Sequence, residues 1–320
     1  MKRGTKSDGR TMRRESKFLA RFLLVLFTVI ILSAIAVLSY FFIDRHIHNS
    51  NSVVTLYDSW EKYDYKAVYD ISNNIIDRSF LHNTARTLHG YSAFYLAVSE
   101  VDNAVAQNYL DEALNNLRIA MQNATDETLP QIYYMLGKTY FFKDRISDYH
   151  YYADLAVEYL LKAQSLGYQS NDTAEYLGLS YAELGETQKS IEAFTEALLE
   201  READDTLLLA IAKQYYKSGQ GAAAKQYLQR VTELTKNEDL LLQSHILLGQ
   251  ILTDEEKYSE AQKEFEAILE KNENSADAHY ALGVLYEKQG DLAKARAEWR
   301  TCLRIQVNHP EASIKMSDSR

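Results

Sequence analysis

The sequence contains very little cysteine and proline. Its 320 residues include one cysteine and two prolines. The single cysteine, Cys302, excludes an internal disulfide and any zinc or iron–sulfur site built from several thiolates. So few prolines exclude proline-rich linkers and favour helix along most of the chain. Hydrophobic residues make up 46% of the sequence and charged residues 25%, which is typical of a folded protein.

Basic residues are outnumbered by acidic residues beyond the N-terminal region. Residues 1–43 carry 8 Lys and Arg against 2 Asp and Glu, whereas the rest of the chain carries 27 against 43. A region this acidic repels phosphate groups, so we do not expect a nucleic-acid partner.

A long uncharged run follows the basic N-terminus. Residues 22–43 contain no formal charge. As a helix rising about 1.5 Å per residue, they would span roughly 33 Å, enough for a hydrocarbon core of about 30 Å. The alternative is a cleaved signal peptide, which usually has a shorter apolar region and a small-residue cleavage site. We therefore predict a retained, single-pass transmembrane helix in the lipid bilayer.

The flanking charges predict the orientation of this helix. All eight basic residues of the first 43 precede the apolar run, and only Arg45 and Lys62 fall within the 20 residues after it. By the positive-inside rule the N-terminus is cytoplasmic. We expect the inner (cytoplasmic) membrane as the location, with the C-terminal repeat region in the periplasm.

The C-terminal half repeats itself every 34 residues. Segment 246–269 aligns with segment 280–303, which pairs Gly249 with Gly283, Ala261 with Ala295, and Phe265 with Trp299. Two upstream copies fill the same positions with Gly178, Gly185, Phe194 and Ala197, and with Ala212, Gly219, Ala224 and Leu228.

This pattern resembles the tetratricopeptide repeat, a helix–turn–helix unit of 34 residues. The family's positions are occupied here by Leu282, Gly283, Tyr286, Gly290, Ala295 and Trp299. The helix-B proline of the family is absent from most units. The resemblance covers about residues 53–316 in about six units, of which the first two or three are divergent. It implies an all-α, TPR-like α-solenoid, a right-handed superhelix behind one transmembrane helix.

The predicted organisation has six parts. They are a basic cytoplasmic tail (1–21), the transmembrane helix (22–43), a juxtamembrane linker (44–52), divergent repeats with insertions (53–168), regular repeats (169–305) and a short C-terminal cap (306–320).

Small and large residues alternate at the expected helix crossings. Glycine and alanine let two helices approach closely, and large side chains fill the adjacent space. We expect this packing role for Gly137, Gly178, Ala212, Gly249, Gly283, Ala261, Ala295, Phe194, Phe265 and Trp299.

No group of residues predicts catalysis, a metal site or a cofactor. His46 and His48 form a pair without further ligands nearby. The glycine-rich segment Gly219–Lys225 lacks the ending of a phosphate-binding loop and coincides with a turn between helices. The carboxylates cluster at helix ends, where solvated charge is expected. We therefore expect a protein that is not an enzyme.

The resemblance implies a concave groove lined by the first helix of each unit. Counting from the glycine position, groove-facing residues include Tyr134, Lys138, Phe141, Leu179, Leu209, Lys213, Tyr216, Ile246 and Tyr280. The Lys–Asn clamp by which some family members bind a terminal carboxylate is absent. The mixture of aromatic and aliphatic residues with a few lysines suits an extended segment or an amphipathic helix. Alternatively, several of these aromatics pack between neighbouring units.

Two functions are compatible with these features. The first is a membrane-tethered scaffold or assembly factor for an envelope complex of the translocon, secretion, pilus or flagellar motor type. It would bind a protein partner in the groove. The second is an envelope hydrolase or carbohydrate-binding accessory with its site in the insertions at 100–108 and 144–152. The partner's identity and the oligomeric state stay open.

Overall fold

The computed structural model describes residues 21–40, 52–147, 152–200, 202 and 204–318. This part of the chain contains α-helices and no strand, which confirms the prediction of an all-α fold. The helices are α1 Arg21–Tyr40, α2 Val53–Glu61, α3 Tyr65–Arg78, α4 Asn83–Ser99, α5 Asn103–Gln122, α6 Leu129–Ile146, α7 Ala153–Ser165, α8 Thr173–Glu183, α9 Thr187–Glu200, α10 Asp205–Lys217, α11 Gly221–Leu234, α12 Glu238–Asp254, α13 Tyr258–Lys271, α14 Ala276–Lys288, α15 Leu292–Ile305 and α16 Pro310–Asp318.

Helix α1 is long and apolar enough to cross a membrane. It has 20 residues, its most apolar window has a mean hydropathy of 2.9, and none of that window is buried. The following lie outside the described residues: residues 1–20 of the basic tail, residues 41–51 with His46 and His48, and residues 148–151 of the second insertion.

The chain forms two compact units, one ending at Asn123 and one beginning at Ala124. In the first unit, α2 packs on α3, α3 on α4, and α4 on α5. The second unit consists of the hairpins α6–α7, α8–α9, α10–α11, α12–α13 and α14–α15, with α16 packed on α15. The predicted change from divergent to regular repeats at residue 168 falls within the second unit and stays a prediction.

The first helices of the hairpins form one face of the second unit. Helices α6, α8, α10, α12 and α14 each contact the next one in this series. The second helices make their main contacts with their own partner and with the first helix of the following hairpin. Neighbouring first helices are therefore closer together than neighbouring second helices. The side of the stack that they form is its inner face.

The turns of four hairpins in the second unit use a left-handed residue. Gly185, Gly219 and Gly290 occupy this position with φ between 72° and 82°. In the α12–α13 turn the same position is taken by Glu256 with φ 61°. A residue with a Cβ atom is strained in this conformation, so this turn is less favourable than its counterparts.

Glycine lies where the two helices of a hairpin cross. A Cβ atom at Gly178 would come within 2.6 Å of the Phe194 ring, and one at Gly249 would meet the Phe265 ring equally closely. Trp299 covers Gly283 in the same way, and Leu160 covers Gly137. In α10 the position belongs to Ala212, which is fully buried, as are Ala261 and Ala295. These crossings have no room for a larger residue.

Candidate functional site

The inner face of the second unit contains a groove of about 520 Å³. Helices α10, α12, α14 and the start of α16 form it. Its lining residues are Lys213, Tyr216, Lys217, Gln243, Ile246, Leu247, Gln250, Asp277, Tyr280, His309 and Glu311. A volume of this size is within the range of binding pockets for small molecules and peptide side chains.

The 34-residue period places equivalent positions side by side in the groove. Gln243, Asp277 and Glu311 are spaced by 34 residues and line it from the alternate helices α12, α14 and α16. Ile246 and Tyr280 are another such pair. The groove is therefore built from rows of equivalent positions, and the residue type within a row can differ from one unit to the next.

The middle of the groove is uncharged. Helix α12 contributes Ile246 and Leu247 together with the amides of Gln243 and Gln250. The Tyr280 ring packs against the imidazole of His309, with 5.0 Å between ring centroids. Such a surface provides apolar contact with a few hydrogen-bonding groups, as is typical of peptide-binding grooves.

Two lysines lie at the α10 end of the groove. Lys213 Nζ donates a 2.8 Å hydrogen bond to Gln243 Oε1. Desolvation by the surrounding protein, together with repulsion from Lys217, lowers the pKa of Lys213, although the charge of Glu183 opposes this shift. Beside them the Tyr216 hydroxyl donates a 2.7 Å hydrogen bond to Asp254 Oδ2. Burial and this hydrogen bond raise the pKa of Tyr216, so its hydroxyl stays protonated.

Acidic residues lie at the opposite end. Asp277 Oδ1 is 3.4 Å from His309 Nε2, and Glu311 Oε2 is 3.3 Å from His309 Nδ1. The same Nδ1 accepts a hydrogen bond from the Ala312 backbone N–H, because His309 caps the N-terminus of α16. Ser275 is the equivalent cap of α14, 34 residues earlier.

A second hollow adjoins the α10 end. It encloses about 630 Å³ and shares Tyr216 and Lys217 with the groove. Its other lining residues are Gly219, Gly221, Ala222, Ile251, Asp254 and Glu255. The glycine-rich segment noted in the sequence is thus a turn and the start of α11.

The structure brings four of the nine predicted groove residues together: Lys213, Tyr216, Ile246 and Tyr280. Four others, Tyr134, Lys138, Phe141 and Leu209, are buried, and Leu179 packs on the core of the second unit. The buried aromatics fit the alternative interpretation, in which they pack between neighbouring units. The Phe141 ring, for example, lies 5.0 Å from that of Tyr176 on the next first helix.

Sequence reasoning missed Gln243, Leu247, Asp277, His309 and Glu311. The signal for three of them was present, because Gln243, Asp277 and Glu311 follow one another at the repeat period. His309 and Glu311 fall in the segment expected to be a short cap. In the structure this segment forms helix α16, whose Ala312 is fully buried.

One constellation in the first unit has the residue types of a nucleophile, a base and an acid. Ser72 Oγ lies 2.9 Å from His89 Nδ1, and His89 Nε2 lies 3.3 Å from Glu112 Oε2. Ser72 is completely buried, however, and its hydroxyl donates to the Tyr69 carbonyl. A substrate therefore has no path to Ser72, and the arrangement ties α3, α4 and α5 together. Within the described residues, no cluster of three or more His, Cys, Asp or Glu could hold a metal ion.

Residues 155–316 match the family model described as the tetratricopeptide repeat protein 21 C-terminal ARM domain. A TPR repeat-containing protein of Methanocaldococcus jannaschii is 28% identical over 178 residues, which are 52% of this chain and 30% of the relative. The anaphase-promoting complex subunit CDC16 of Saccharomyces cerevisiae is 27% identical over 120 residues, 36% of this chain and 14% of the relative. The chain spans less than a third of the length of these relatives.

Solved structures with a similar fold include the C-terminal part of a TPR repeat-containing protein from Cytophaga hutchinsonii. It has a TM-score of 0.54 and 14% identity, and the match covers 82% of this chain and 99% of that one. A tetratricopeptide repeat protein from Parabacteroides merdae has a TM-score of 0.52 and 17% identity, covering 71% and 92% of the two chains. At such low identity these similarities establish the fold alone.

Proposed function

Because the chain belongs to the tetratricopeptide repeat family, we propose that it is a membrane-tethered scaffold that docks a segment of a partner protein in the groove of its second unit. Repeats of this family generally serve as binding scaffolds rather than as enzymes. The observation that carries the proposal is the groove itself, whose apolar middle is lined by Ile246, Leu247 and Tyr280 from successive first helices.

A role in assembling an envelope complex extends this proposal. CDC16, a relative of this chain, is by name a subunit of the anaphase-promoting complex. The exposed apolar helix α1 and the basic residues that precede it support an anchor in the inner membrane with the repeats in the periplasm. Such an anchor would raise the local concentration of the repeats beside a membrane machine.

A crosslinking pull-down tests the docking function. The full chain with a C-terminal tag is crosslinked in native membranes and compared with the Ile246→Glu variant, whose charge falls in the apolar middle of the groove. Ser259→Glu on α13 serves as the control, because it introduces the same single negative charge at an exposed position outside the groove. We expect one complex to be recovered with the wild type and the control but lost with Ile246→Glu. Equal recovery with all three chains would exclude docking in this groove.

Protease treatment of spheroplasts tests the anchor and its orientation. We expect the full chain to resist carbonate extraction and to lose its repeats to protease added outside the cell. Release by carbonate would contradict the anchor, and protection of the repeats would contradict the proposed orientation.

A further inference from the structure

We propose that the groove of the second unit is polarised by charge and selects a peptide segment with carboxylates at one end, an apolar middle, and lysine or arginine at the other end. This inference rests on the proposed docking function and specifies the chemistry of the segment. The charges that line the groove are segregated by helix: Lys213 and Lys217 on α10, Asp277 on α14 and Glu311 on α16.

The α10 end has two lysines without an ion-pair partner. Lys213 and Lys217 are exposed, and neither forms an ion pair with any residue in the described part of the chain, although the charge of Glu183 acts on Lys213. The only hydrogen-bond partner found for Lys213 there is the neutral amide of Gln243. Asp254 lies in the adjoining hollow and accepts a hydrogen bond from Tyr216. Two lysines one helical turn apart repel each other, and a carboxylate bound between them would relieve that repulsion.

The α14–α16 end has two carboxylates without a lysine or arginine partner among the described residues. Asp277 and Glu311 are mostly exposed, and the only ion-pair contact of each in this part of the chain is with the ring of His309. His309 Nδ1 already accepts a hydrogen bond from the Ala312 N–H. The ring can therefore donate a hydrogen bond to one carboxylate at most, through Nε2. A lysine or arginine of a bound segment would complete the hydrogen bonding of the second carboxylate.

Helix α12 separates the two charged ends and contributes no charge to the groove. Its lining residues are two aliphatic side chains and two amides. The segment that fits best therefore places apolar residues over Ile246 and Leu247 and its charges on either side. A uniformly acidic or uniformly basic segment would gain attraction at one end and suffer repulsion at the other.

Three synthetic peptides test this selectivity. All three have a Leu-Tyr-Leu centre and blocked termini. The mixed peptide has two Glu at one end and two Lys at the other. The doubly acidic peptide has Glu at both ends, and the doubly basic peptide has Lys at both ends. Binding to the full chain in detergent is measured by fluorescence anisotropy. We expect the mixed peptide to bind about tenfold more tightly than the other two at low salt, and the difference to shrink at 0.5 M salt.

Charge variants then test whether the two charged ends of the groove select the peptide, rather than the apolar middle alone. The K213E/K217E variant should prefer the peptide with Lys on both ends, whereas the control K236E/K263E has the same net charge and should behave like the wild type. In D277N/E311Q, which preserves side-chain shape, the mixed and doubly acidic peptides should bind equally. Thermal unfolding of each variant verifies that the second unit is intact.

The contrary outcomes are distinct. If the three peptides bind equally and Ile246→Glu weakens them all, docking is correct and the charge selectivity is wrong. If none of the three peptides binds at a concentration of about 1 mM, both the docking function and the charge selectivity are wrong. If the free chain sediments as a dimer that K213E/K217E dissociates, the groove holds a second copy of the chain, which would overturn the assignment of a partner segment.

Discussion

The Tyr134 hydroxyl donates a 2.5 Å hydrogen bond to Asp172 Oδ1, and Lys138 Nζ lies 3.0 Å from Asp172 Oδ2. Asp172 is the N-cap residue of α8, yet its side chain makes no capping hydrogen bond to its own helix. It instead joins the start of α8 to α6. Burial alone would raise the pKa of Asp172, but the Tyr134 hydrogen bond and the Lys138 charge outweigh burial and lower it.

Tyr134→Phe should lower the free energy of unfolding of the second unit by about 1–2 kcal/mol, because the half-buried Asp172 carboxylate would lose a donor. Urea unfolding followed by circular dichroism measures the change. Tyr133→Phe is the matched control, since Tyr133 lies on the same helix and packs its ring against Tyr159. An equal effect of both substitutions would mean that the hydroxyl bond contributes nothing.

Gly178→Ala should destabilise the α8–α9 hairpin by about 1–3 kcal/mol, as overpacking of a core does. The added Cβ would lie 2.5 Å from Phe194 Cδ1. Phe194→Leu should restore part of this loss in the double variant. At Gly221 a Cβ would be 3.2 Å from the Cγ2 methyl of Ile251, so Gly221→Ala should change stability by less than about 0.5 kcal/mol. Thermal unfolding compares all four chains, and an unaffected Gly178→Ala would contradict the close crossing.

Glu256→Gly should stabilise the α12–α13 hairpin by about 1 kcal/mol, because glycine adopts the left-handed conformation of this turn without strain. The reverse change at the equivalent position, Gly290→Ala, should destabilise α14–α15 by a similar amount. Hydrogen exchange of the two hairpins reports each effect locally. If Glu256→Gly were neutral, the side chain of Glu256 would have to compensate for the strain of its backbone.

His89 should make the first unit less stable in acid. Burial lowers the pKa of His89 below its usual value of about 6.5, even though hydrogen bonding and charge from Glu112 oppose the shift. The unfolded chain therefore binds a proton at a higher pH than the folded chain. The contribution of His89 to stability is complete above about pH 6.5 and decreases as the pH falls from there towards the lowered pKa.

Hydrogen exchange measures this pH dependence. After correction for intrinsic rates, amides of α4 and α5 should exchange faster at pH 5.5 than at pH 7.5, and His89→Gln should reduce the difference. Helices α10 and α11 contain no histidine and serve as the internal control. A pH response that is the same in His89→Gln as in the wild type would assign it to other groups.

Cys302 should be unreactive in the folded protein. It is fully buried on α15, and burial, with smaller contributions from Asp277 and Glu311, raises the pKa of its thiol to about 11. Because the thiolate is the reactive form, a thiol reagent at pH 8 should react more than about a hundredfold more slowly with the folded chain than in denaturant. No other cysteine contributes to the signal. Rapid labelling under native conditions would show that α15 and α16 separate readily.

The repeat period predicted much of the fold, and the family resemblance and fold class are confirmed. The position of Gly178 against Phe194 follows from the period because both residues belong to the same hairpin. The environments of Tyr134 and Lys138 do not follow from it, because they depend on Asp172, whose side chain turns away from its own helix. The α16 end of the groove was missed because residues 306–320 are too few to show the pattern of a whole repeat.

The order of helix packing has a consequence for synthesis of the chain. In the second unit the main contacts of each helix are with helices one or two places away in sequence. Each hairpin can therefore acquire its native neighbours as soon as it leaves the ribosome or a translocon, before the remainder of the chain exists. The groove is the exception, since its two ends come from α10 and α16. It is complete only when the start of α16 has emerged, so a nascent chain cannot engage a partner along the whole groove before that helix has been made.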